Sequence, residues 1–173
     1  PLYKKKTVVD NYNQLTINFK EDYGIILRAY DDGVAYRFFS NKKGMITILS
    51  EEANFNFDKD YATLIPYVRD LRGTEQYIQS YEALYTKQTI SKVYNDTLGF
   101  LPVLVNEGKK KAVILEADLV DYPGMFINGN MHNGLKGVFA PYPLEYFQGG
   151  YNKLNTMVGK RATYIAKVNG SRN

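Results

Sequence analysis

Apolar and polar positions alternate with a period of two at several places along the chain, and no sustained helical period is visible. Leu15, Ile17 and Phe19 are separated by Thr16 and Asn18, the pattern of a strand with one face buried. Residues 24–30 (GIILRAY) and 34–39 (VAYRFF) flank Asp31-Asp32-Gly33. An Asp-Gly turn between two such runs predicts a β-hairpin, with Arg28 and Arg37 on its two strands. Residues 41–44 read as a second turn and 45–49 as a strand. Phe55 and Phe57 alternate with Asn54 and Asn56, which predicts another strand. Residues 58–61 form a loop, Pro66 interrupts the next apolar run, and 70–73 turn again. The run 78–85 fits strand or helix. Runs 96–105 and 111–119 around Asn106-Glu107-Gly108 predict a further hairpin. The Asn/Gly cluster 128–134 predicts a loop, and 161–168 (RATYIAKV) a last strand. Many short strands with frequent turns and no internal repeat define an all-β, mostly antiparallel protein, a sandwich or a barrel.

Composition agrees with this pattern. Aromatics are 14% of the residues, with 16 Tyr, 9 Phe and no Trp, and aromatic and β-branched residues favour strands. The chain has 173 residues, enough for one domain that buries about 70% of its unfolded surface. Cysteine is absent, which excludes disulfides, thiolate metal sites and thiol nucleophiles. The net charge is +4, but the lysines sit in short runs with carboxylates between them. A nucleic-acid binder gathers its basic residues on one face, so a solvated surface is expected instead. No stretch approaches the ~18 apolar residues of a membrane span, and the first residues hold no signal-peptide core. The chain starts without Met and ends at AKVNGSRN, and we read it as a single domain over 1–173, cut from a longer polypeptide at both ends.

One run, KAVILEADLVDYPG (111–124), carries the chemistry. Ala112 to Leu115 and Ala117 surround Glu116 in a stretch that reads as the middle of a strand. An ionised carboxylate out of water costs several kcal/mol or shifts its pKa. Glu116 is therefore paired, at a sheet edge, or a ligand. Asp118 would share its face on a strand, and paired carboxylates serve glycoside cleavage or hold a hard cation such as Ca²⁺. Asp118 and Asp121 have a simpler role in starting the Asp-Tyr-Pro-Gly turn. Glu116 has no turn role and is the stronger candidate.

Other chemistry is sparse. His132, the one histidine, lies in the Asn/Gly loop without an orienting partner in sequence, so it is read as solvated. No nucleophile elbow, P-loop, dinucleotide fingerprint, H-E-x-x-H or EF-hand spacing occurs. Arg28, Arg37, Arg69, Arg72 and Arg161 are read as structural ion-pair partners. The tyrosines suit either sugar-stacking platforms or core packing with the hydroxyl at the rim.

The segments PLYKKKTVVDNYNQLTINF, ILRAYDDGVAYRF, AVILEADLVDYPGM and GVFAPYP, in this order, resemble the N-terminal domain of glycoside hydrolase family 97, a family of bacterial α-glucosidases and α-galactosidases best known in Bacteroides and its relatives. The resemblance implies an antiparallel β-sandwich, part of a galactose-mutarotase-like supersandwich, that precedes a catalytic (β/α)₈ barrel. It places no catalytic residue in this chain and implies that the domain alone is inactive. It implies a Ca²⁺ ion shared with the barrel, for which Glu116 matches the one ligand supplied by this domain. It also implies an oligosaccharide substrate for the whole enzyme, the barrel as an intramolecular partner, and a periplasmic location. A carboxylate whose partners lie on another domain is expected to be unsatisfied in this chain. The alternative is a free-standing carbohydrate-binding β-sandwich.

Overall fold

The computed structural model describes residues 7–68, 75–78, 81–149 and 151–171. Among them there is no α-helix, and the strands are β1 (Asn13–Phe19), β2 (Tyr23–Ala29), β3 (Val34–Ser40), β4 (Met45–Ile48), β5 (Asn54–Asn56), β6 (Ala62–Pro66), β7 (Tyr85–Thr89), β8 (Gly99–Phe100), β9 (Val103–Asn106), β10 (Lys111–Ile114), β11 (Met125–Gly129), β12 (Gly134–Phe139), β13 (Pro143–Gly149), β14 (Asn155–Arg161) and β15 (Ala166–Asn169). The chain divides into two compact units, Pro1–Ile46 with Val168–Asn173, and Thr47–Lys167. The all-β, antiparallel fold expected from the alternation is observed, and of sandwich and barrel it is the sandwich that the family resemblance implied.

In the first unit β1, β2 and β3 form an antiparallel sheet in that order. Leu15 faces Leu27, which faces Tyr36, and Ile17 faces Ile25, which faces Phe38. The alternating pattern thus becomes one apolar face, because opposed residues in an antiparallel pair share a side. The other face carries Gln14, Thr16, Arg28 and Arg37. The expected hairpin closes with the Tyr30 N–H donating to the Gly33 carbonyl at 2.8 Å.

The second unit holds two four-stranded sheets, β10-β9-β6-β7 and β5-β12-β11-β8, packed through their apolar faces. Ile65, Val103, Val105 and Ile114 of the first meet Met125, Ile127 and Leu135 of the second in one core. Ile65, Val103, Val105, Ile127 and Leu135 are fully buried, each contributing about 1.5–3 kcal/mol of transfer free energy. Thr63 is also buried, and its hydroxyl donates to the Leu104 carbonyl at 2.8 Å, so it brings no unsatisfied group into the core. On the reverse side of β11, Phe126 joins Val68 and Leu98 in a smaller cluster flanked by Tyr77, Phe100 and Val138.

The structure moves four of the expected boundaries. The run 96–105 is two strands, since Pro102 lacks an N–H and cannot continue a ladder; β8 pairs with β11, whereas β9 pairs with β6 and β10. The strand expected over 111–119 stops at Ile114, which pairs with Val103; the next partner would be Pro102. The Asn/Gly cluster is half strand, because β11 runs through Asn128 and Gly129 with both faces covered. Gly129 admits this approach, since a Cβ there would lie 2.3 Å from the Val93 carbonyl oxygen. The last expected strand is interrupted at residues 162–165, between β14 and β15. The ambiguous 78–85 run resolves into a 3-10 turn at Gln76–Ile78 and the start of β7 at Tyr85. The turn expected at 70–73, and Arg69 and Arg72, lie outside the described residues.

Candidate functional site

Residues 115–124 cross from β10 in one sheet of the second unit to β11 in the other. Most of this connector is exposed, including Leu115, Leu119 and Val120. Asp118 and Asp121 adopt left-handed backbone, with φ of 55° and 52°. Aspartate is one of the residues that tolerate that conformation. Glu116 and Tyr122 are the polar side chains of the connector that are half-buried.

Hydrogen bonds hold both side chains. Glu116 Oε2 accepts the N–H of Met125, the first residue of β11, at 2.8 Å. The Tyr122 hydroxyl donates to Oε2 of Glu51 at 2.8 Å, across 71 positions of sequence. The Tyr122 ring meets Phe139 edge-on, with centroids 6.1 Å apart, and Phe139 is the cross-strand partner of Met125. The five residues therefore form one constellation around the start of β11.

This geometry corrects two expectations about Glu116. Its residue lies on a connector, two positions past the end of β10. Its carboxylate is also not unsatisfied, because one oxygen holds a backbone N–H. Its electrostatics are nevertheless unfavourable to charge. Burial pushes the Glu116 carboxyl above its ordinary value, the Met125 N–H opposes that, and the nearby charge of Glu51 adds to the rise. Burial likewise pushes Glu51 up, against the Tyr122 hydroxyl. Two half-buried carboxylates, one pushed up further by the charge of the other, are the environment a cation relieves. Among the described residues no group of three or more His, Asp or Glu side chains is placed to hold a metal. A hard cation takes about six to eight oxygens, so this chain fits the role of a contributor to a shared site and not that of a complete one.

Sequence reasoning missed Glu51, and no local signal marks it; only the strand order β5-β12-β11 within one sheet brings it to Tyr122. His132 lies in the exposed turn after β11, its backbone N–H bonded to Asn130 Oδ1 at 2.9 Å. Arg161 ion-pairs with Glu75, donates to the Pro141 carbonyl at 2.6 Å and lies 5.2 Å from the centre of the Tyr77 ring, a structural pairing as expected. Arg28 donates to Gln14 Oε1 at 3.0 Å and stacks over Tyr12 at 4.1 Å. Several tyrosines are taken up in ring contacts: Tyr77 and Tyr81 against Phe126, Tyr67 against Tyr94, and Tyr142 against Tyr164.

The chain presents an all-β sandwich with two neighbouring half-buried carboxylates, Glu51 and Glu116, beside the start of β11. The sequence matches the Glycosyl-hydrolase 97 N-terminal family over residues 1–164, and the chain belongs to that family. It is 36% identical over 178 residues to a protein of Bacteroides thetaiotaomicron named retaining alpha-galactosidase. That alignment covers all of this chain and 27% of the relative, so the chain spans about a quarter of the length of the curated protein it matches. No helix among the described residues is long and apolar enough to cross a membrane.

Proposed function

We propose that this chain is the non-catalytic N-terminal domain of a calcium-dependent α-glycosidase, packed on a separate (β/α)₈ catalytic barrel whose active site it helps complete. The observation that carries the proposal is Glu116: a half-buried carboxylate, anchored by the Met125 N–H beside a second carboxylate, in a chain that lacks the remaining ligands among its described residues. Glu116 donates one carboxylate to a Ca²⁺ ion whose other oxygens come from the barrel. Bound there, calcium supplies positive charge that polarises the sugar site. This domain contributes the ligand, holds it at a fixed position and shields that side of the site from water. The alpha-galactosidase relative supports an α-linked oligosaccharide as the substrate of the whole enzyme, and the family resemblance supports a periplasmic location.

The test is made in the full-length enzyme and in this chain alone. Glu116→Gln in the full-length enzyme should abolish calcium stimulation and most hydrolysis of an α-galactoside or α-glucoside, while calorimetry of the isolated chain shows no tight calcium or sugar binding. A Glu116→Gln enzyme that stays fully active and calcium-dependent overturns the assignment. Cell fractionation checks the location.

A further inference from the structure

We propose that the Tyr122–Glu51 hydrogen bond is a strap that positions the Glu116 carboxylate before a cation binds, making Tyr122 and Glu51 positioning residues for that site. The inference rests on the reading of Glu116 as a ligand and adds how it is held.

The connector 115–124 leaves the first sheet where Pro102 ends the ladder, and its backbone passes through two left-handed residues, Asp118 and Asp121. Leu115, Leu119 and Val120 are exposed and give it little packing. A ten-residue segment of this kind would be ordered only when something binds it, and ordering would then subtract from binding, at about 1–2 kcal/mol per residue fixed. Two contacts remove that requirement in advance. The Glu116 carboxylate closes the connector on the Met125 N–H at 2.8 Å, and the Tyr122 hydroxyl ties its far end to Glu51 at 2.8 Å. The Tyr122 ring on Phe139 sets the direction of that tie. Glu51 in turn belongs to the segment leading into Ala53, whose carbonyl accepts the Gly137 N–H of β12 at 2.7 Å. The anchor is thus tied to the sheet two residues further on, while the ligand is on the connector.

The experiment uses the full-length enzyme and reads terbium luminescence, competed with calcium, together with amide exchange at Met125 in EDTA. Tyr122→Phe removes only the hydroxyl. It should weaken cation affinity about ten- to hundredfold, the size of one lost hydrogen bond to a charged acceptor, and speed exchange at Met125. Glu51→Ala should match it, and the double variant should add nothing further, because the two act as one unit. Glu51→Gln keeps an acceptor for the tyrosine and should stay within about twofold of the original affinity. Unchanged affinity in Tyr122→Phe overturns the strap, as does a loss in Glu51→Gln equal to that in Glu51→Ala, which would show that the charge of Glu51 acts directly. If Glu116→Gln leaves affinity unaltered, the ligand reading fails instead. Met125 exchange in Tyr122→Phe then still decides the strap, and unchanged exchange overturns it.

Discussion

Replacing Glu116 in two ways separates its structural bond from its charge. Met125 is 8% exposed, so its N–H has no ready access to water and depends on the Glu116 oxygen at 2.8 Å. Glu116→Ala leaves that donor buried without a partner, which costs about 1–3 kcal/mol. Glu116→Gln presents a carbonyl oxygen at the same reach and keeps the bond. It also removes a charge that burial and Glu51 both disfavour, so the cation-free Gln protein should be as stable as the original or slightly more so. Urea unfolding in EDTA at pH 7 should therefore place Ala below Gln by at least about 1 kcal/mol at constant m. With calcium at about a hundred times its dissociation constant, the original protein should gain about 2.7 kcal/mol from binding, and both variants should lose most of that gain. Equal stability of Ala and Gln in EDTA refutes the structural bond. A calcium gain that survives in Gln refutes the ligand role.

Three further outcomes follow from the same structure. In EDTA, the folded form holds Glu51 and Glu116 above the ordinary carboxyl value of about 4.3, so it binds more protons than the unfolded chain between that value and the raised ones. Their contribution to stability is present below the unfolded value and lost as pH rises through the folded ones, and Glu51→Gln with Glu116→Gln should flatten that fall in melting temperature measured against pH. Gly129→Ala should cost about 3 kcal/mol or prevent folding, because the new Cβ meets the Val93 carbonyl while the Gly129 N–H is tied to Tyr94 at 2.8 Å; a soluble variant with an unchanged urea midpoint refutes it. Arg161→Ala should cost about 1–3 kcal/mol by removing the ion pair with Glu75 and the hydrogen bond to the Pro141 carbonyl, and Arg161→Lys should recover only part of that, since a lysine cannot reproduce the guanidinium fork.

Much of the fold was legible from local pattern. The β1–β3 sheet follows from period-two alternation and one Asp-Gly turn, and the β9–β10 hairpin from its Asn-Glu-Gly loop, because strand faces and tight turns are set by neighbours a few residues apart. The errors share a cause. Gly129 and Asn128 read as loop because both faces of β11 are covered by distant residues, Val93 and the Phe126 cluster, and burial on two sides overrides a composition that favours turns. Pro102 was visible in the sequence, but that it opposes the end of β10 depends on register.

The same division holds at the site. Sequence by itself determined that Glu116 is a costly carboxylate in an apolar run and that no self-sufficient catalytic set accompanies it. Tertiary structure decided that the carboxylate is bound to Met125, that Glu51 approaches from 65 positions away, and that Tyr122 ties the two segments. Those contacts depend on how the connector folds back and on the order of β5, β12 and β11 in one sheet, and long-range pairing of that kind leaves no local trace in the order of residues.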